Sequence, residues 1–172
     1  MIYSHLAHVD IAGYYQFITF RTNDSTDAFL NKLSAQNTSS SRKQLIVDNY
    51  LDRSIQGAYL NDDVLLFLHR FLRSKGKDSY NLIAFAIMPN HIHLLLKPFD
   101  NLPSVIKKIK GGSAKIVNEM MNRNGTFWAK NYYDKAIIDQ RHFEIVYEYI
   151  KNNPLKLAES ESSLPRFYGI YE

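Results

Sequence analysis

The chain of 172 residues has no cysteine. That excludes disulfide frameworks, thiolate metal sites and cysteine nucleophiles, and it leans towards a reducing compartment. No apolar run approaches the roughly 18 residues a membrane helix needs. The opening MIYSHLAHVDIAGYY has no basic n-region and no apolar h-region, so no signal peptide is visible and a cytoplasmic location is expected. With 7 Gly and 5 Pro, collagen and low-complexity disorder are excluded too. What is present is ordinary for a folded domain, 45% hydrophobic and 22% charged residues. A chain this long can bury its own core. It shows neither internal repeats nor a linker, so residues 1–172 are expected to form a single domain.

The net charge is only +4, but it is unevenly spread. Residues 1–80 carry nine basic and eight acidic side chains, net +1, and residues 81–172 carry twelve and nine, net +3. Between 97 and 135, eight basic residues face only Asp100, Glu119 and Asp134, net +5. A basic stripe is the footprint of a polyanion such as nucleic acid, although most such runs are simply solvated faces. The 12 Tyr and 10 Phe could stack on unpaired bases, and most are expected in the core.

Local pattern gives the order of elements. Residues 14–21, YYQFITFR, read as a strand. Residues 34–43, rich in Ser, read as a surface loop or the frayed end of a short helix. Asp62 or Asp63 can cap a helix to about Arg73, with Val64, Phe67, Leu68 and Phe71 at helical spacing. Residues 80–88 and 91–98 read as two antiparallel strands around a Pro89-Asn90 turn. Asn101-Leu102-Pro103 opens a helix to about Arg123, its apolar face on Val105, Ile109, Ile116 and Met120. Gly111-Gly112 in its middle implies that another backbone approaches there or that the helix bends. Residues 126–138 read as a fourth strand, and Asp139 caps a last helix over about 140–153, stopped by Pro154. The sum is an α+β, ferredoxin-like (split βαβ) antiparallel sheet with helices on one face and an added C-terminal helix.

Two features carry chemistry. His91 and His93 flank Ile92 on one strand, so both imidazoles point to the same face and can share a divalent metal. The bland alternative is decoration of an exposed strand face. The wholly apolar continuation argues against it, because polar groups on a core strand are costly without a purpose. On the last helix, Phe143, Val146, Tyr147 and Ile150 make an apolar stripe. Tyr147 lies on that stripe and is expected in the core. Tyr149 lies off it, with Asn153 one turn away.

MPNHIHLLLKP, FWAKNYYDKAIID and YIKNNPLK, taken in that order, resemble the REP-associated tyrosine transposases, a branch of the single-tyrosine HUH transposases of insertion sequences. The resemblance covers about 13–158. It implies a metal-dependent enzyme that cleaves and rejoins single-stranded DNA at hairpin elements through a covalent 5′-phosphotyrosine intermediate. It implies Tyr149 as nucleophile, His91 and His93 as ligands of Mg²⁺ or Mn²⁺, and Asn153 where relatives place a third polar ligand. Mg²⁺ prefers oxygen, and two imidazoles suit Mn²⁺ better, so the Mg²⁺ reading comes from the family. Ala129, Ile138 and the NPLKLAE run depart from relatives at positions tied to DNA recognition.

The basic residues expected to meet DNA phosphates are Lys107, Lys108, Lys110, Lys115, Lys130 and Lys135. The partner expected is single-stranded or hairpin DNA, with no membrane role, and a homodimer is left open. Tyr132, Tyr133 and Tyr147 are rival nucleophiles. Two other readings stand beside the transposase. One is a catalytically silent nucleic-acid-binding module on the same scaffold. The other is an unrelated metal hydrolase, which would need ligands that His5, His8, His69 and His142 do not supply by spacing.

Overall fold

Alternation in QFITFR sends Ile18 and Phe20 to one side of the first strand, β1 (Gln16–Arg21), and Phe17 and Thr19 to the other. The computed structural model describes residues 13–25, 28–37, 39–158 and 165–172. After β1 come three helices, α1 (Ala28–Ser34), α2 (Ser40–Leu51) and α3 (Asp62–Ser79). They are followed by β2 (Tyr80–Ile87), β3 (His91–Pro98), α4 (Leu102–Met120), β4 (Tyr133–Ala136), α5 (Gln140–Asn152) and β5 (Phe167–Gly169). The five strands lie in the order β4-β1-β3-β2-β5, and every neighbouring pair is antiparallel. Apart from β5, this is the ferredoxin-like order, with β3 inserted between β1 and β2.

The two faces of the sheet have different tasks. Ile18, Phe20, Phe85, Ile87, Ile92, Leu94 and Leu96 form the main core with α3 and α4. A Cβ at Gly112 would stand 3.1 Å from the Phe71 ring, so this glycine lets α4 close on α3. Gly111 faces open space. On the other face Phe17, Ala84, Ala86 and Leu95 pack under Val146, Tyr147 and Ile150 of α5. The small side chains of Ala84 and Ala86 allow α5 to lie close to the strands, and with it whatever that helix carries.

Several expectations need correction. The polar stretch around 34–43 leads into a full helix, α2, whose N-cap Ser39 accepts a hydrogen bond from the Arg42 amide. Helix α3 continues past Arg73 to Ser79. The buried face of α4 is Leu102, Val105, Ile106, Ile109, Ser113 and Val117, while Ile116 and Met120 are exposed. The expected strand over 126–138 is regular only in β4. Upstream, the chain touches the sheet through a bridge between Thr22 and Trp128. The carbonyls of Ala129 and Lys130 then turn to the Lys110 ammonium instead of a ladder.

Candidate active site

His91 and His93 lie at the start of β3 on the α5 face, both completely buried, with ring centroids 4.8 Å apart. Each imidazole uses Nδ1 and leaves Nε2 without a partner. Thr19, opposite His93 in the β1–β3 register, places its hydroxyl 2.7 Å from His93 Nδ1. Asn90 Oδ1 is 2.7 Å from His91 Nδ1. The amide of Asn90 is fixed in orientation, because its nitrogen donates to the carbonyls of Leu51 and Ser54 at 2.9 and 3.2 Å. Its oxygen therefore accepts, His91 Nδ1 carries the proton, and the Nε2 lone pair is left free in the tautomer that binds metals. Burial drives both imidazoles to a pKa of about 3, so they stay neutral.

The residue that the sequence reading missed is Asp48. Donor atoms of Asp48, His91 and His93 all lie within 4.8 Å of one another, a buried cluster of the kind that holds a divalent metal. Asp48 sits on α2 one turn before the buried Leu51, and Asn90 clasps the end of that helix. Ser39 as an N-cap, followed by a carboxylate three residues before a core leucine, was the available signal. The low apolar content of the helix concealed it. Burial raises the Asp48 carboxyl, while the His91 imidazole, the Tyr149 hydroxyl and Gln44 favour its charged form. Gln44 Nε2 donates to Asp48 Oδ1 at 2.6 Å.

Tyr149 reaches the cluster from α5 of the same chain. Its hydroxyl donates to Asp48 Oδ2 at 2.7 Å, and its ring lies 5.4 Å from the His93 ring. Phe17 stacks on His93 and meets Tyr149 edge-on, fixing both rings. Burial, then the Asp48 charge, raises the phenol well above its ordinary pKa, so it is protonated here. Asn153 is fully buried one turn on, donates to the Tyr149 carbonyl at 3.1 Å, and leaves its Oδ1 unpartnered. Asp52 at the end of α2 approaches His91 Nε2 at 3.6 Å and pairs with Lys156 at 3.0 Å. The Lys156 ammonium also lies 5.4 Å from the centre of the Tyr149 ring.

The rival tyrosines stand elsewhere. Tyr147 is in the core, its hydroxyl accepting from the Tyr171 amide. The hydroxyl of Tyr133 lies 3.4 Å from Ser41 Oγ, and Tyr132 lies under the Lys110 ammonium. Among the expected DNA-contacting lysines, Lys107, Lys108, Lys115 and Lys130 are exposed. Lys110 is half-buried, tied to backbone carbonyls, and lowered by burial to about 8. Lys135 is half-buried and donates to Ser41 Oγ at 3.1 Å. No helix among the described residues is long and apolar enough to cross a membrane.

Known proteins share sequence and fold with this chain. The family model "Transposase IS200 like" matches residues 38–153. A curated but uncharacterized protein of Haemophilus influenzae (strain ATCC 51907 / DSM 11121 / KW20 / Rd) is 29% identical over 41% of this chain. The chain spans about half, 52%, of that relative's length. A solved REP-associated tyrosine transposase bound to a REP hairpin aligns over 93% of this chain and 79% of its own, with a TM-score of 0.56 at 16% identity. That likeness shows the shared fold. A crystal structure of a candidate transposase from Deinococcus radiodurans R1 aligns over 84% of this chain and 97% of its own, at 19% identity and a TM-score of 0.48.

Proposed function

Because the chain belongs to the IS200-like transposase family, we propose that it cuts and rejoins single-stranded DNA beside a hairpin, with Tyr149 as the nucleophile. The observation that carries this reading is the Tyr149 hydroxyl, bonded to Asp48 and packed against His93 within one chain. The phenol oxygen attacks the scissile phosphorus. A bond forms between tyrosine and the 5′ phosphate, the bond to the 3′ oxygen breaks, and that oxygen leaves as a 3′-OH. The link keeps the energy of the phosphodiester, so rejoining requires no ATP. Asp48, which already accepts the hydroxyl hydrogen bond, is placed to take the phenol proton.

The free Nε2 atoms of His91 and His93 and the carboxylate of Asp48 fit a divalent metal, and Asn153 offers its unpartnered Oδ1 nearby. A bound ion would polarise the phosphate and orient it for in-line attack. Two imidazoles and one carboxylate suit Mn²⁺ more than Mg²⁺. Lys156, exposed at the rim beside Tyr149, offers a positive charge to the incoming phosphate. Exposed Lys107, Lys108, Lys115 and Lys130 supply phosphate contacts outside the site. Asp48, His91, His93 and Tyr149 meet within one chain, so in this reading the site is assembled in cis.

The test is covalent capture. Labelled hairpin DNA with a single-stranded flank is incubated with the protein and Mn²⁺ and resolved on denaturing gels. The expected result is a DNA–protein adduct. No adduct from the wild type with any hairpin or metal would reduce the protein to a silent binding module.

A further inference from the structure

At the end of the sheet away from His91 lies a second cleft that the reaction does not use, of about 540 Å³. Register places it there, because Tyr80 at the start of β2 pairs with Pro98 while Ile87 pairs with Ile92, next to His91. Seven residues of strand, about 23 Å, separate His91 from Pro98. The cleft is lined by Arg70, Arg73 and Lys77 from α3, Asn81 from β2, Phe99 after β3, and Tyr168 from β5. No acidic side chain lines it, and among the described residues none of the three cations is in an ion pair.

Two kinds of surface meet in this cleft. The guanidinium of Arg73 lies 4.9 Å above the Tyr168 ring, which itself stacks on Phe85 at 5.4 Å. The stack holds the guanidinium plane in place, so an anion that binds it meets a preorganised fork of donors. Phe99 is 62% exposed, and its amide donates to the Ser79 carbonyl, so the ring is presented from a fixed backbone. An exposed aromatic face beside three cations that form no ion pair among the described residues matches phosphate and base together, the chemistry of single-stranded nucleic acid. A duplex would offer phosphates but keep its bases stacked inside.

We propose that the Arg70–Arg73–Lys77 cleft, with Phe99 as a stacking platform, binds an unpaired stretch of DNA beyond the cleavage point. The partner class rests on the functional reading above, and the site itself does not. It would hold the single-stranded tail of the substrate while the hairpin and the scissile phosphate lie elsewhere.

The test uses full-length protein and two fluorescent DNAs, a hairpin with a thymidine tail and the same hairpin without one, titrated by anisotropy at several salt concentrations. Arg70→Glu/Lys77→Glu should weaken binding of the tailed hairpin at least tenfold and flatten its salt slope by about 0.7 for each phosphate that is no longer neutralised. Phe99→Ala should weaken it about tenfold with the slope unchanged, because stacking releases no counterions. Binding of the tail-less hairpin should not change in any variant. Unchanged affinity for the tailed hairpin would overturn the proposal, including when the melting temperature falls, since the charges would then serve only the end of α3. Adduct formation by the wild type scores the catalytic reading separately. An adduct with tail binding indifferent to these variants leaves the function and removes this site. Tail binding lost in the variants without any adduct leaves the site and removes the function.

Discussion

The Tyr149 hydroxyl and the Asp48 carboxylate, 101 positions apart in the chain, share a 2.7 Å hydrogen bond. That contact joins α5 to α2 across the buried imidazole of His93. It brings the nucleophile of the proposed reaction, an acceptor for its proton and an oxygen that could bind a divalent metal into one place.

Tyr149→Phe removes a single oxygen and leaves the ring contacts with Phe17 and His93 intact. It should abolish the covalent DNA adduct while shifting stability by about 1 kcal/mol. Tyr132→Phe, Tyr133→Phe and Tyr147→Phe should retain the adduct. A denaturing gel of all four variants decides it, and an adduct that persists in Tyr149→Phe but vanishes in one of the others transfers the role to that residue.

Asp48→Asn keeps the shape and an acceptor for Gln44 but removes the charge. Mn²⁺ affinity measured by calorimetry should fall more than tenfold, on the order of what losing a metal-site group costs. The metal-free melting temperature should not fall, because burial already disfavours the carboxylate. Undiminished Mn²⁺ binding would exclude Asp48 as a ligand.

Asn90 does two things at once, and two variants separate them. Asn90→Ala removes both the acceptor that fixes the His91 tautomer and the donors that clasp the end of α2. It should lower both Mn²⁺ affinity and stability, the latter by about 1–3 kcal/mol. Asn90→Asp keeps the acceptor and loses the donors, so it should recover metal affinity relative to Ala and remain destabilised. Equal metal affinity in the two variants would show that the tautomer is set otherwise.

Neutralising Lys107, Lys108 and Lys115 together should reduce the slope of log K against log salt by about 0.7–0.9 for each DNA phosphate left without its lysine. Lys110→Ala should act differently. It removes hydrogen bonds to the carbonyls of Ala129 and Lys130, and is expected to cost about 1–2 kcal/mol of stability. An unchanged slope in the triple variant would make those lysines a solvated face.

The buried imidazoles also set a pH dependence for the metal-free protein. His91 and His93 titrate near 3 when folded against an ordinary 6.5, so between these values the unfolded chain binds more protons than the folded one. Stability should therefore be full above pH 6.5 and fall as pH drops towards 3. Asp48 and Asp52, raised by burial, contribute in the opposite sense near the acid end, gaining stability as they protonate. Urea midpoints from pH 7 to 4 should decline, and a His91→Gln/His93→Gln variant should decline less. A decline as steep in the variant as in the wild type would show that the imidazoles do not cause it.

Much of this was legible in the sequence because its causes are local. Alternation along β3 puts His91 and His93 on one face whatever surrounds them. The Pro89-Asn90 turn makes β2 and β3 antiparallel, and the stripe of Val146, Tyr147 and Ile150 turns Tyr149 off the axis of the core. Asp48 was harder to read, because the low apolar content of α2 hides the helix that its N-cap Ser39 begins. Its meaning arises when Asn90 pins the helix end and the small Ala84 and Ala86 allow α5 to approach. Lys110 likewise reads as one more surface cation until its ammonium is seen capping two carbonyls. Periodicity fixes which face a side chain takes, since it follows from backbone geometry alone. Which distant group meets it there depends on how the elements pack, and that is decided only when the whole chain has folded.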